Sequence, residues 1–575
     1  MNVILILLAA MVVLILGCLL VGRALAKSWG IDPARETPSQ DCFDGKDFVP
    51  TPPVVVMGHH FASVAGAGTI FGSVMASSFG WGPVLLWIVV GSVFFGAAHD
   101  FGALFASLRH KGRSLGRVLR ECVGEKTQRV FTAFSLLVLV LLIACLTNIT
   151  ADTFASASGM PLLAVGAGQV SPQAGAGTAS ILFVLVGLLF GLLVFRKNLP
   201  MIPMTILCLL LMAGSVWAGM HVGLNLNYYV WVGVIALYLI AAALLPVWSL
   251  LQPRDFLSAV LLWAVMLLGF VAVIGAALSG RVEMDLPFYT GFSSERGPLV
   301  PMLFVIIAGG AVSGYHALIC SGTTAKQLAN EKHARSVSVG SVLLDALLAL
   351  LALMTAGVMA RQGNGVVSPI DVFASGLATM WSAMFGGDGS AVTGGLVYSI
   401  AALTVSVFTL TTLDTCTRLA RYLFAELFNP DNRRLKKLEG AQRFFATPAV
   451  GTILVVLLGC GLGLARETDR LWGLFGASNL LLAGLAMLAV AVWLKESGKK
   501  TAALAVPMLV LLVLSVGAFG FVLVSGVGRI AAGAAGWVDW LALVLALLLL
   551  ALGFLVMGAA LPALFGKKQP ENEEE

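Results

Sequence analysis

About fifteen apolar stretches, each near the roughly 20 residues needed to cross a hydrocarbon core of about 30 Å, follow one another along this chain. They lie near 2–22, 58–78, 83–107, 130–148, 178–195, 200–219, 230–248, 256–278, 298–319, 337–360, 391–412, 447–465, 471–493, 502–526 and 537–562. Backbone in lipid must satisfy its own polar groups, and runs of this length do so as helices. Charged residues make up 11% of the chain, against about 25% in a soluble domain. No connecting segment reaches the ~50 residues of a small soluble domain. The expected fold class is an all-α polytopic membrane protein.

Letting the chain alternate sides divides the basic residues sharply. One set of connections holds only Arg281, Arg296, Arg361, Arg466, Arg470 and Arg529, which leaves 29 of the 35 lysines and arginines to the other. The basic set includes Arg109, Lys111, Arg113, Arg117, Arg120, Lys126 and Arg129, then Arg433, Arg434, Lys436 and Lys437, and finally Lys567 and Lys568. Cytoplasmic loops keep positive charge, so the expected N-terminus is outside and the C-terminus inside. The anionic cytoplasmic leaflet accounts for the net charge of +6, and no nucleic-acid partner is expected. Residues 1–22 could pass for a signal peptide, but Arg23 and Lys27 follow the run and no basic residue precedes it. Those flanks favour a retained first helix. The eight cysteines are scattered, without a CxxC pair, so neither a disulfide framework nor a metal site is expected.

The stretches between 58 and 415 contain ionisable clusters, glycine runs and internal prolines, whereas the four after 447 are almost wholly Leu, Val, Ala and Gly. The active part is therefore expected within 58–424, the later helices facing lipid or bracing it. The chain divides into a first helix with its loop (1–57), a core (58–430), a basic loop (431–446), a four-helix region (447–565) and a charged tail (566–575). Two spans look interrupted: residues 59–73, with Gly66, Gly68 and Gly72, and residues 244–255, with Pro246 and Pro253. Irregular backbone at membrane depth is tolerated where it is buried or lines a watery cavity. Counted from the glycine-rich span, the interruptions fall in the first and sixth of ten helices. That placement points to a LeuT-like, five-plus-five inverted repeat with a binding site at the breaks. The alternative is that the glycines only permit close helix packing.

Four of the seven histidines, His59, His60, His99 and His316, fall within or beside spans. Charge at the bilayer centre costs about 2.5–3.5 kcal/mol, so such residues face the interior of a bundle. Histidine titrates near neutrality, and Asp100 beside His99 is suited to relay its proton. Alternatively, Asp100 salt-bridges the basic loop at 109–129. His316, Cys320 and Thr323 share a helical face. Ser321, Thr323 and Thr324 offer oxygens for a hard cation, or bond back to their own helix. Asp414 has Arg418 and Arg421 within two turns and is expected to pair with them; Asp345 has no basic neighbour within a turn.

The segments 58–72, 81–100, 246–255, 313–331 and 413–426 resemble the carbon starvation A (CstA) family of bacterial inner-membrane transporters. The resemblance implies a secondary transporter, not an enzyme, of the amino acid–polyamine–cation superfamily, importing peptides or pyruvate with protons and linked to starvation. Thr69 and Ser73 stand where the family has prolines, and Asp345 where it has glutamate. The expected site joins Gly66, Ala67, Gly68, Thr69, Pro246 and Trp248 around the solute. His59, His60, His99, Asp100, His316, Ser321, Thr323, Thr324 and Asp345 are the coupling candidates. No cofactor is expected, and a proton is preferred over sodium as coupling ion. The rival reading is a membrane redox protein with the histidines as haem or copper ligands, disfavoured because no bis-His arrangement repeats and CxxCH is missing.

Overall fold

The computed structural model describes residues 3–156, 161–166, 170–360, 368–385, 391–431 and 435–566. Arg361, Arg433, Arg434, Lys567, Lys568 and the acidic end of the tail lie outside the described residues.

Helix α1 (Val3–Trp29) is followed by the short α2 (Pro38–Asp41), then by α3 (Pro53–Val64) and α4 (Ala67–Ala76). Next come α5 (Trp81–Val90) and α6 (Ala97–Arg109), joined through a π-helical turn at Gly91–Gly96. The short α7 (Leu115–Cys122) leads into α8 (Glu125–Phe154). Helices α9 (Pro172–Gly191) and α10 (Met201–His221) form a peripheral hairpin, followed by α11 (Tyr228–Leu244) and α12 (Leu251–Ser279). Three pieces, α13 (Leu299–Ile306), α14 (Ala308–Ala311) and α15 (Gly314–Gly322), precede the long α16 (Ala334–Met359). Then follow α17 (Pro369–Met384), α18 (Ala391–Phe428), α19 (Gly440–Ala446), α20 (Pro448–Gly463), α21 (Thr468–Glu496), α22 (Ala502–Ala531) and α23 (Trp537–Phe565).

Helix starts are marked by local chemistry. Proline opens α3, α9, α17 and α20, where a missing N–H costs nothing. Ser114, Ser171, Asn227 and Ser368 accept from the backbone N–H three residues on. Two small antiparallel pairs decorate the connections: β1 (Leu163–Val165) with β2 (Val222–Leu224), and β3 (Ser293–Ser294) with β4 (Gly297–Pro298).

Among the described residues, eleven helices are long and apolar enough to cross a membrane, or thirteen when the bent pairs α3/α4 and α19/α20 each count as one. Helix α11 (17 residues) and the α13–α15 pieces fall below that length. The spans divide into core and periphery. The apolar window of α21 is 94% buried inside the protein and those of α8 and α16 78%, whereas α10 reaches 17% and α22 and α23 33%. Helix α21 is thus a central post, which corrects the expectation that everything after 447 faces lipid or braces. Its alanines and glycines let neighbours approach closely; Gly476 sits against the Val305 backbone and Gly484 against Leu512.

The position of the second interruption also needs correction. Residues 245–250 are the link between α11 and α12, not a break within one span. Pro253 occupies the first turn of α12, where proline is accommodated without loss of a hydrogen bond. The irregular stretch is 307–313, where Val312 and Ser313 are extended between α14 and α15.

Candidate functional site

The two breaks touch backbone to backbone. Between α3 and α4, Gly66 is extended and the helix pair bends by 43°. A Cβ on Gly309, in the second break, would lie 3.0 Å from the Gly68 carbonyl carbon and the Thr69 nitrogen. A Cβ on Gly72 would lie 2.4 Å from the Ile306 oxygen. Only glycine permits these approaches. They bound a cavity of about 40 Å³, room for about one water. Gly66, Gly68 and Thr69 line it from one break, and Gly309, Ser313 and His316 from the other. Helix α18 contributes Thr412, and α21 contributes Trp472, Phe475 and Asn479. Asn479 Oδ1 accepts from the Tyr315 N–H at 2.9 Å and lies 3.2 Å from Ser313 Oγ, which fixes the start of α15. The Thr69 hydroxyl donates to Asp345 Oδ1 at 2.6 Å, tying the cavity wall to a buried carboxylate on α16.

A chain of histidines and carboxylates runs beside this cavity. Asp100 is buried between two imidazoles: His99 Nδ1 lies 2.6 Å from Oδ1 and His316 Nδ1 3.2 Å from Oδ2. The π-helical turn makes this possible, because Gly91 and Gly96 bring α5–α6 against Ala311 of α14. Arg109 reaches Glu331 at 2.7 Å and the Gly30 carbonyl, so the basic loop does not hold Asp100. His60 Nδ1 is 2.7 Å from Thr324 Oγ1, with Cys320 Sγ 3.9 Å from its Nε2. The donor atoms of His60, Asp100 and Cys320 lie within 4.8 Å of one another. Both Asp100 oxygens already face histidines, however, which suits a hydrogen-bonded relay better than a metal cage.

The other sequence candidates are dispersed. Ser321 and Thr323 donate back to Ala317 and Ile319 of their own helix, leaving only Thr324 turned toward the cluster. Ala67 is buried, and Pro246 and Trp248 sit in the α11–α12 link, none of the three lining the cavity. His59 pairs with Asp255 at 2.5 Å. Asp414 does not pair with Arg418 or Arg421; it takes Arg254 and Tyr238 instead. Asp255, Arg254, Trp472 and Asn479 were not foreseen. The adjacent charges Arg254 and Asp255 at the head of an apolar run were the available signal, whereas nothing in the local pattern marked Trp472.

On the basic face the segment before α3 lies across the base of the bundle. Val49 and Thr51 donate backbone N–H groups to the Lys326 and Gln327 carbonyls at 3.2 and 3.0 Å. Asp47 receives Arg418 at 3.2 Å and Tyr422 at 2.6 Å, with Arg421 at 3.7 Å. Burial pushes the Asp47 carboxyl up, but Lys326, Arg421 and Arg418 outweigh it and hold the group below the usual carboxylate value. Burial pushes Lys326 down to about 8; its ammonium lies 3.9 Å from the Tyr422 ring centre.

At the opposite face a second cavity, of about 730 Å³, reaches in as far as Phe71 and Trp472. These two rings lie 6.1 Å apart, and Trp472 lines both cavities.

The family described as carbon starvation protein CstA matches residues 2–369 and 364–518. The chain belongs to this family. A peptide transporter of the family from Bacillus subtilis is 30% identical, the match covering 97% of this chain and 96% of the relative. One from Helicobacter pylori (strain ATCC 700392 / 26695) is 31% identical over 84% of this chain and 76% of its own. A pyruvate/proton symporter from Escherichia coli (strain K12) is 34% identical over 57% of this chain and 45% of its own. Among solved structures, a mutant manganese transporter from Eremococcus coleocola superposes with a TM-score of 0.50 at 11% identity, covering 90% of this chain and 97% of that one. That likeness concerns the fold alone. As a CstA family member this chain is a multi-pass membrane transporter, and nothing in these relatives supports the redox alternative.

Proposed function

We propose that this CstA family member imports a short peptide or pyruvate into the bacterial cell across the inner membrane, driven by protons. The observation that carries the coupling is Asp100, held between His99 and His316, with His316 also lining the central cavity. His60 of α3, Cys320 of α15 and Asp345 of α16 face the same group. A proton on this network changes its charge beside the point where solute is held, so loading of one can control loading of the other. The solute carboxylate would meet the backbone N–H groups at the start of α4, where Gly66 and Gly68 leave the main chain open. Sodium would need several oxygens converging on one point, and Ser321 and Thr323 lie against carbonyls of their own helix while Thr324 alone reaches the histidine cluster. The relatives are named as peptide transporters and a pyruvate/proton symporter.

The architecture that fits this reading is the five-plus-five inverted repeat. Its first half is α3/α4, α5–α6, α8, α11 and α12, with α9 and α10 an inserted hairpin; its second is α13–α15, α16, α18, α20 and α21. Helices α1, α22 and α23 are accessory and lie against lipid, and the fifteen crossings leave the N-terminus outside. The test is uptake of labelled pyruvate and dipeptides into proteoliposomes under an imposed pH gradient, then under a sodium gradient. Accumulation driven by the pH gradient supports the proposal. Accumulation with sodium alone, or none of either solute, overturns it.

A further inference from the structure

The 730 Å³ cavity carries more chemistry than a passage requires. Its volume falls within the roughly 300–1,000 Å³ of small-molecule sites. Phe71 and Trp472 close it from the central cavity, which holds about one water. Its walls hold charges of both signs. Arg296, between β3 and β4, is exposed, and its guanidinium has no partner among the described residues. Asp371, in the first turn of α17, accepts from the Tyr398 hydroxyl on Oδ1 at 2.6 Å, and its Oδ2 has no partner among the described residues. Asp152, near the end of α8, accepts from Arg466 on Oδ1 at 2.9 Å, and its second oxygen has no partner among the described residues. Between these charges lie apolar side chains, Met75, Ile149, Ile370 and Leu403.

We propose that this outer vestibule is a staging site that recognises both ends of a zwitterionic short peptide, Arg296 taking the carboxylate and Asp371, aided by Asp152, taking the ammonium. The inference rests on the importer reading and narrows its solute class. A monocarboxylate such as pyruvate has nothing to offer the two carboxylates, whereas a peptide of two or three residues satisfies both signs and covers the apolar wall. Charge-assisted hydrogen bonds tie specificity to the termini, so side chains of many kinds are accepted. The peptide waits above the aromatic pair until Phe71 and Trp472 part.

The test is initial-rate uptake by the full chain in proteoliposomes, with dialanine, dialanine amide, N-acetyl-dialanine and pyruvate. In the unaltered protein dialanine should have the lowest KM. Arg296→Gln should raise the dialanine KM about tenfold or more, with the maximal rate within about twofold, and erase the preference over the amide. Asp371→Asn should do the same toward the N-acetyl compound. Arg296→Lys should restore part of the loss, which a merely structural role would not predict. Dialanine uptake with an unchanged KM in Arg296→Gln overturns the staging site and leaves the importer reading standing. Pyruvate uptake that dialanine does not inhibit overturns the zwitterion while leaving proton-driven import intact. Failure of the unaltered protein to take up any of the four overturns both.

Discussion

Single residues divide here into those that pack and those that leave space. A Cβ on Gly72 would lie 2.4 Å from the Ile306 carbonyl oxygen, while one on Gly68 would reach the Trp472 ring at 3.6 Å, an ordinary contact. Gly72→Ala should therefore lower the thermal stability of detergent-purified protein, by about 1–3 kcal/mol as for an overpacked core. Gly68→Ala should leave the melting temperature nearly unchanged and impair uptake, because its methyl takes up the small cavity. Equal losses of stability in both would mean that neither glycine serves a site. Arg254 and Asp414 form a different kind of unit, a buried ion pair shared with Tyr238. Arg254→Met leaves the carboxylate unpaired and should cost about 3–5 kcal/mol, read from denaturant or thermal unfolding. A melt like that of the unaltered protein would show that the pair is dispensable. The sequence disclosed the acidic residue but gave it the wrong partner. Arg418 stands one turn from Asp414, yet it turns to Asp47 and to the Ala242 and Leu245 carbonyls. Spacing along one helix cannot anticipate a cation supplied from another.

Among elements, the strap formed by residues 37–52 holds the basic face shut. It ties α12, α18 and the connection between α15 and α16 together through Asp47, Val49, Thr51 and the Gln252–Gln327 pair. Asp47→Ala should loosen it and speed maleimide labelling of Cys320, which is fully buried beside His60. Labelling at the unaltered rate would place the closure elsewhere. The pH dependence has a definite sign. A carboxyl whose value is lowered on folding adds stability above its unfolded value and loses it as pH falls through the folded one. The Asp47 contacts thus persist throughout neutral pH and are released only below the ordinary carboxylate range. The glycine-rich break at 65–66 was legible, since Gly66 and Gly68 interrupt an otherwise apolar helical pattern. The break at 307–313 was not, because the prolines at 246 and 253 are the stronger helix-breaking signal, yet they serve a link and a helix start. Gly309, Gly310, Ser313 and Gly314 were the quieter signal.

For the whole molecule, apolar length was the most readable property, because a bilayer imposes it on each span separately. Family membership was readable as well, in motifs around His59, His99, His316 and Leu413. What could not be read was which helix stands at the centre. Helix α21 looks like any lipid-facing run of Leu and Ala, and only packing reveals that Trp472 and Asn479 reach the cavity. In the proposed mechanism Asp100, clasped by His99 and His316, carries the proton that does the work of accumulation. One charge moved across 100 mV supplies about 2.3 kcal/mol, enough for roughly fiftyfold accumulation. The decisive measurement sets accumulation and exchange of labelled solute side by side in proteoliposomes, normalised to folded protein, for the unaltered chain and Asp100→Asn. Exchange should continue in the variant while accumulation against a gradient vanishes. Accumulation per folded molecule equal to that of the unaltered chain would contradict it.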